Sequence, residues 1–384
     1  MPLLVLACLA YAGIALPDSV LGIAWPSMST EFRQPVGALG LLLPFGIGAA
    51  VLSSALTGRL LNRVRMGRLL SCATALSALG LLGHSLAPSL WAVMAATVFL
   101  GLGFGAMDSA LNVYAASHFG ARHINWMHAS YGLGAVVGPA AITMALSAGI
   151  GWRWTYAVLA AVLLALAATF ARAWRTPMDV PRSVAAPSSG TRWSGYMITS
   201  LSAAVFAIHL GIEGGIGLWA YVYLTDGKGL TSWSAGLAVS AYWAVLCLGR
   251  LILGSIAERT GPAPVLRASV VGMTAAAALM TIPAPTSVAV AGMLLLAVAA
   301  APMFPLLILT TADRVPPSDT HRTIGIQIAA SKLGATIFPA LTGLLIQHTG
   351  PRILAPTLLT LTTLLATAFT LLTHRPKPPK PRDE

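Results

Sequence analysis

The sequence contains very few charged residues. Asp, Glu, Lys and Arg make up 9% of the 384 residues, whereas hydrophobic residues make up 57% and the mean hydropathy is +0.79. A soluble globular domain carries about 25% charged residues, so this chain lacks the polar surface of a water-soluble fold. A disordered chain is also excluded, because disorder requires low hydrophobicity and high charge. The composition therefore indicates an integral membrane protein.

Cysteine is scarce as well. Cys8, Cys72 and Cys247 lie far apart in apolar segments, with no metal-binding spacing and no evident disulfide framework. We expect them to be small buried hydrophobic residues. The first 16 residues contain no Lys or Arg, so this segment predicts the first membrane helix rather than a cleavable signal peptide.

Twelve apolar stretches reach the length of about 20 residues that crosses a bilayer. A polar stretch rich in Pro and Ser separates the first six from the last six. The sequence therefore predicts an N-terminal six-helix bundle at 1–174, a cytoplasmic linker at 175–194, a C-terminal six-helix bundle at 195–374 and a cytoplasmic tail at 375–384. The predicted spans are 3–28, 36–61, 67–86, 88–117, 123–148, 152–174, 195–224, 231–257, 263–283, 286–312, 322–347 and 351–373.

The basic residues follow the predicted topology. Of 23 Lys and Arg residues, 17 lie in the even-numbered connections and the tail, 4 in the odd-numbered connections and 2 inside spans. The positive-inside rule then places both termini and the linker in the cytoplasm, with the chain in the cytoplasmic membrane. The net charge of +12 does not indicate nucleic-acid binding, because the charges form no single binding face.

The two halves of the chain repeat each other. The glycine that opens the loop after span two lies 196 residues before the one after span eight, and Asp18 lies 195 residues before Glu213. Three similar offsets in the same order indicate a duplicated six-helix unit, which is typical of secondary transporters. The third offset, 200 residues, pairs span five with span eleven: Gly134 with Gly334, Ala135 with Ala335 and Pro139 with Pro339.

These motifs resemble the major facilitator superfamily. The segment GxxxNRxxxGR at 58–68 is similar to the superfamily signature between helices two and three, with Asn62 in place of the usual Asp and a spacing two residues longer. The second copy, GxIAERxG at 254–261, keeps the spacing and has Glu258 as its acid. The resemblance implies an all-α membrane protein with twelve transmembrane helices in two pseudo-symmetric six-helix bundles.

Within that superfamily, several stretches resemble the branch related to the fucose–proton symporter. They are GIAWPSM at 22–28, GLGFGAMDSALN at 101–112, NWMHASYGLGAVVGP at 125–139 and CLGRLILG at 247–254.

Seven ionisable side chains stand out inside predicted spans, where each is a functional candidate because charge is costly in a bilayer. The superfamily resemblance implies that helices one, four, seven and ten line a central cavity and that three, six, nine and twelve face lipid. None of the seven lies on a helix of the lipid-facing set. They are Asp18, Asp108, His128, His209, Glu213, Arg250 and Lys332.

Asp108 is the predicted proton carrier. The resemblance places it where the branch has a membrane-embedded acid on helix four, and low-dielectric surroundings allow a carboxyl group to load and release a proton. Asn112 lies one turn further on the same face and could hydrogen-bond the acid or the substrate. A structural hydrogen bond between helices is the alternative.

Asp18 and Glu213 are the other predicted proton-coupling acids. Pro17 cannot donate a backbone hydrogen bond and should bend helix one, and the glycines after Glu213 should weaken helix seven. Interrupted helices at matching places in two repeats indicate a binding site near the membrane midplane. For Asp18, an ion pair with an intramembrane base is the alternative role.

Lys332 and Arg250 have several possible roles. Lys332 could neutralise Asp18 or Glu213, bind an anionic group of the substrate, or snorkel to an interface. Arg250 lies one to two turns from the cytoplasmic end of its helix, so a gating role near Glu258 competes with substrate contact.

The remaining candidates are polar and aromatic side chains near these acids. His209 lies four residues before Glu213, on the same helix face, and could relay protons or simply pack. Indole rings can pack on sugars or form interfacial belts. The predicted substrate contacts are Asn112, Asn125, Trp126, His128, His209, Trp219 and Lys332. The predicted gating and structural loop residues, implied by the resemblance, are Arg59, Asn62, Arg63, Arg250, Glu258 and Arg259.

The sequence thus predicts a proton-coupled transporter of a small polar solute, such as a sugar, working by alternating access. A proton-driven exporter of drugs or metabolites, which could be anionic, is the alternative, and coupling to sodium stays open. A membrane enzyme is disfavoured because no HExxH is present and the buried acids are dispersed; a sensor without turnover is a further alternative. We expect no catalytic residues, metal or cofactor, the proton gradient being the energy source, and a fold complete as a monomer in the lipid bilayer.

Overall fold

The computed structural model describes residues 2–61, 63–118, 121–173, 193–311, 313–315 and 317–373. The predicted linker 175–194, except its last two residues, and the predicted tail 375–384 lie outside this description. The predicted domain boundaries therefore stay a prediction.

The described chain is almost wholly helical, as its apolar runs predict. A 3₁₀-helix (Val36–Leu41) precedes the second α-helix, a π-helical turn (Tyr223–Gly227) follows the seventh, and a 3₁₀-helix (Pro351–Ile353) precedes the last. The α-helices are α1 (Pro2–Glu31), α2 (Leu42–Leu61), α3 (Met66–Leu86), α4 (Leu90–His118), α5 (Ala121–Ser147), α6 (Trp152–Ala173), α7 (Trp193–Val222), α8 (Ser232–Thr260), α9 (Pro262–Thr281), α10 (Thr286–Ala300), α11 (Met303–Leu309), α12 (Pro317–Thr349) and α13 (Leu354–Thr373).

Twelve stretches of the described residues are long and apolar enough to cross a membrane. They coincide with the twelve predicted spans within a few residues at nearly every end, which confirms the predicted fold class. Spans one to nine correspond to α1 to α9, span eleven corresponds to α12 and span twelve corresponds to α13. Span ten consists of two helices, α10 and α11, because Pro302 has no backbone N–H with which to continue the ladder.

The first and seventh helices continue past the residues expected to bend or weaken them. Both α1 and α7 are helical without a break, past Pro17 and past Gly214 respectively. A transmembrane helix tolerates a proline where neighbouring groups satisfy the backbone carbonyl that it frees. Two glycines of α7 serve close packing, since Gly211 lies against Phe338 and Gly214 against Pro339 of α12.

The described helices group into two compact units. The first contains α1 to α6 together with Ala220–Asp226 and Leu230–Ala244, and the second contains the rest of α7 and α8, Gly227–Gly229 and α9 to α13. In the first unit α1 packs on α5, α2 on α4, and α3 on both α4 and α6. In the second unit α9 packs on both α10 and α13, which repeats the arrangement of α3 with α4 and α6.

The predicted repeat is visible in the helix packing. Gly134 of α5 lies so close to α1 that an added methyl group would collide with the carbonyl oxygen of Ala12. Gly334 of α12 lies against the carbonyl oxygen of Ala207 of α7 in the same way. Small residues allow helix backbones to approach closely in membranes, and here the same approach occurs in both halves.

An arginine after span five and another after span eleven extend this repeat. Arg153 donates to the Ser85 carbonyl at 2.8 Å and forms an ion pair with Glu31 at 2.6 Å. Arg352, 199 residues later, donates to the Gly227 carbonyl at 2.8 Å. Helix ends leave carbonyl groups without partners within the helix, and these two arginines supply donors beside such ends.

The expectation that the cysteines are buried is wrong for Cys72, which is exposed on α3, while Cys8 and Cys247 are half-buried. Lipid tails are as apolar as a protein core, so apolar side chains of a spanning helix gain little from burial.

We predict that Gly134→Ala and Gly334→Ala each destabilise the protein by about 1–3 kcal/mol, the usual cost of overpacking. The measurement is thermal unfolding of the purified protein in detergent. Gly48→Ala on α2 is the matched control, because an added methyl group there meets nothing within 4 Å. Equal melting temperatures for all three variants would contradict the packing described here.

Candidate functional site

Asp108 lies at the centre of a small hydrogen-bonded cluster in the first unit. The Tyr11 hydroxyl of α1 donates to Asp108 Oδ1 at 2.8 Å. The Asn112 side-chain nitrogen lies 3.0 Å from the same oxygen and 2.7 Å from the Tyr11 hydroxyl. Asp108 and Asn112 are one turn apart on α4, and Tyr11 is 3% exposed. Asp108 and Asn112, which were predicted to lie on one face of α4, are thus joined by Tyr11 of α1.

The described neighbours of the Asp108 carboxylate are neutral. Oδ1 accepts hydrogen bonds from the Tyr11 hydroxyl and the Asn112 amide, and no described Lys or Arg forms an ion pair with Asp108. Oδ2 accepts no hydrogen bond from any residue that the structure describes, which leaves an oxygen at which a proton can add.

Glu213 lies in a different environment, in the second unit. Arg250 Nη2 of α8 donates to Glu213 Oε1 at 3.0 Å and lies 3.3 Å from Oε2. His209, one turn earlier on α7, places Nε2 3.8 Å from Oε2, which is beyond hydrogen-bond length. His209 is fully buried and Glu213 is 7% exposed. The expected meeting of His209 and Glu213 on one helix face is observed, and an arginine completes the group.

Arg250 is the base that contacts Glu213. Its guanidinium points to that carboxylate, and no ion pair in the described chain involves Glu258. The predicted gating role of Arg250 near Glu258 stays a prediction, as does substrate contact. An ionised acid deep in a spanning helix attracts the base within reach more strongly than an exposed acid does. Lys332 of α12 is half-buried and forms no ion pair with any described residue. Within the described chain, Arg250 therefore neutralises Glu213 and Lys332 does not.

The two predicted aromatic contacts have opposite surroundings. Trp219 is fully buried, its indole N–H donates to the Pro339 carbonyl at 2.8 Å, and its ring packs on Gly343. It is part of the contact between α7 and α12 rather than an accessible stacking surface. Trp126 of α5 is 46% exposed, so its ring is accessible.

The remaining predicted residues are either exposed near helix ends or outside the described part of the chain. Arg63, Glu258 and Arg259 are exposed near the ends of their helices, as loop residues should be. Their predicted gating role stays a prediction. Asn62 lies outside the described residues, as do the side chains of Asp18, Arg59, Asn125 and His128.

Sequence reasoning missed three buried polar residues. Tyr11 has no charge and no motif, so only the fold reveals its contact with Asp108. His84 lies on α3, a helix assigned to the lipid-facing set, where it bonds to the Gly80 carbonyl at 2.9 Å and stacks on Tyr156. Gln327 of α12 is fully buried and hydrogen-bonds Ser202 and Thr311. The sequence signal for Gln327 was a polar amide side chain inside an apolar span.

Comparison with known proteins agrees with this architecture. The sequence profile of the Major Facilitator Superfamily matches residues 7–326 and 201–384. The uncharacterized transporter y4wD of Sinorhizobium fredii is 29% identical over 327 residues, which are 80% of this chain and 82% of that protein. Among solved structures, a D-xylose–proton symporter superposes with a TM-score of 0.78 at 15% identity, covering 98% of each chain. The nucleoside transporter NupG gives 0.73 at 14% identity, covering 98% of this chain and 100% of that one.

The family match and the twelve apolar helices of the described chain indicate a multi-pass membrane transporter. The chain belongs to the Major Facilitator Superfamily. That it belongs to the branch related to the fucose–proton symporter stays a prediction.

We predict that Tyr11→Phe destabilises the protein by about 1–2 kcal/mol, because Asp108 loses a donor and Asn112 loses an acceptor. Combining it with Asn112→Leu should cost less than the sum of the two single changes, since the residues share one cluster. Thermal unfolding in detergent measures both effects.

The control is Ser109→Ala on the same helix, which removes only a 3.5 Å contact with the Ser54 carbonyl. A melting temperature for Tyr11→Phe as high as that of Ser109→Ala would contradict the cluster.

Proposed function

We propose that this protein is a proton-coupled secondary active transporter that moves a small polar solute, such as a sugar or similar metabolite, by alternating access. The observation that supports this most is the carboxyl group of Asp108, set in an apolar helix where each of its described hydrogen-bond donors is neutral. A permanently charged acid in a membrane is normally paired with a base. An acid without one suits a residue that is neutral for part of a cycle.

Asp108 is the proton carrier in this proposal, and Tyr11 and Asn112 are its positioning residues. The two donors lower the cost of the charged state, and the vacant Oδ2 receives the proton. Binding and release of the proton then change the charge inside the first unit by one, which is the kind of local event that biases a two-state membrane protein. Glu213, paired with Arg250, is the second coupling acid, and Asp18 remains a third candidate.

The orientation follows from the charge distribution. We propose that the protein lies in the cytoplasmic membrane with both termini and the linker in the cytoplasm, because 17 of 23 basic residues lie on the side that the termini share. A monomer suffices, since each cluster described above lies within one compact unit.

The test is uptake of pooled water-soluble metabolites into proteoliposomes under an inward proton gradient, read by mass spectrometry. We predict that the wild type accumulates at least one solute and that Asp108→Asn abolishes accumulation, because asparagine cannot release a proton. Exchange of the same solute without a gradient should survive in Asp108→Asn. Asp226→Asn, an acid at the end of the π-helical turn, is the control and should accumulate normally.

Full gradient-driven accumulation by Asp108→Asn would refute the assignment of the proton carrier. Accumulation that follows a sodium gradient instead would refute proton coupling. Transport out of loaded vesicles under the opposite gradient would identify an exporter.

A further inference from the structure

The guanidinium of Arg250 is only partly used. Its contacts with Glu213 both come from Nη2, although a guanidinium has five N–H donors in a planar fork. Nε is buried and has no hydrogen-bond partner in the part of the chain that the structure describes. The side chain as a whole is 33% exposed, against 9% for Glu213. Arg250 therefore contacts Glu213 through Nη2 alone, and the other N–H donors of its guanidinium form no hydrogen bond with Glu213.

His209 is also incompletely satisfied. Both of its ring nitrogens are buried without a hydrogen-bond partner among the described residues, although Nε2 lies 3.8 Å from Glu213 Oε2. A buried polar group without a partner is costly, and such groups commonly mark a place that water, an ion or a ligand occupies. Two unsatisfied groups, His209 and Arg250 Nε, thus flank one carboxylate.

The second unit has more positive than negative charge in its described spans. Glu213 and Glu258 are the acids of those spans, whereas the bases are Arg250, Arg259, Arg267, Lys332 and Arg352. Lys332 of α12 forms no ion pair with a described residue. His209 of α7 and the half-buried Cys247 of α8 are further ionisable groups on the two helices that carry the pair. A positive excess in an apolar environment favours an anionic ligand.

We propose that Arg250, with His209 beside it, binds an anionic group of the substrate, a carboxylate in the simplest case, in place of Glu213. A proton adds to Glu213, the neutral acid releases the guanidinium, and the carboxylate of the substrate takes up the vacated N–H donors. One proton and one anion enter together, so the number of charges in the unit does not change. Arginine suits this role because its fork matches a carboxylate in two-point geometry.

This inference rests on the proposed function and narrows its substrate class from a polar solute to an organic anion. It also gives Asp108 and Glu213 different roles in the transport cycle. Asp108 takes up its proton among neutral donors, whereas Glu213 is protonated as the substrate anion binds to Arg250.

The test uses the full-length protein in proteoliposomes with pooled water-soluble metabolites under an inward proton gradient. We expect every accumulated solute to bear a carboxylate or comparable anionic group, and Arg250→Gln to lower its accumulation at least tenfold, the usual effect of removing a charged hydrogen-bond partner. Arg267→Gln, an exposed arginine on α9, is the control and should behave as wild type. Melting temperatures of both variants show whether each is folded.

A second variant separates binding from protonation. In Glu213→Gln the side chain is permanently neutral. When this change is made together with Asp108→Asn, so that the other coupling acid cannot titrate, we expect exchange of the solute to persist and to be independent of pH. In the wild type, exchange should rise as the pH falls, by up to about tenfold per pH unit, as one bound proton requires. Exchange by this double variant that still rises in acid would show that another group, His209 above all, is the one that titrates, and would overturn the inference.

Failure of the inference differs from failure of the proposed function. If the accumulated solutes are neutral and Arg250→Gln still accumulates them, the anion site is refuted while proton-coupled transport stands. If the wild type moves no solute in either direction under a gradient, the proposed function fails and the inference fails with it.

Discussion

A carboxylate inside an apolar helix must be given hydrogen-bond donors by its neighbours, and the rest of this structure depends on that constraint. Water is absent from the bilayer core, so an unsatisfied charge there costs several kcal/mol. The protein meets the constraint differently in its two units. Asp108 receives neutral donors from Tyr11 and Asn112, whereas Glu213 receives the guanidinium of Arg250. The first solution allows the acid to become neutral, and the second ties its charge to a base.

The two acids therefore differ although the helix packing around them is repeated. Gly134 and Gly334 bring α5 and α12 equally close to α1 and α7, so the scaffold of both halves follows one plan. The two halves differ in the side chains that the repeated helices carry and in the break of span ten at Pro302. In the proposed cycle, this difference gives each half its own acid and its own hydrogen-bond partners.

The fold was predictable because its signals are long and redundant. Twelve apolar stretches, the asymmetry of basic residues and the offsets near 200 residues each point to the same duplicated membrane bundle. The site was predictable only in part. Spacing four residues apart on one helix identified Asp108 with Asn112 and His209 with Glu213, whereas contacts between helices, such as Tyr11 with Asp108 and Arg250 with Glu213, depend on packing that no sequence pattern encodes. Trp219 illustrates the limit, since an aromatic ring near an acid can equally be a packing residue.

The central claim is that Asp108 gains and loses a proton inside the membrane. Infrared difference spectroscopy of the protein in lipid, comparing acidic with neutral buffer, reports the carbonyl band of a protonated carboxyl group directly. The account predicts such a band in the wild type, a loss of its intensity in Asp108→Asn, where Glu213 still contributes, and a shift in its frequency in Tyr11→Phe, where the hydrogen bond to Oδ1 is lost. A band that persists unchanged in Asp108→Asn would show that another acid carries the proton and would contradict the account.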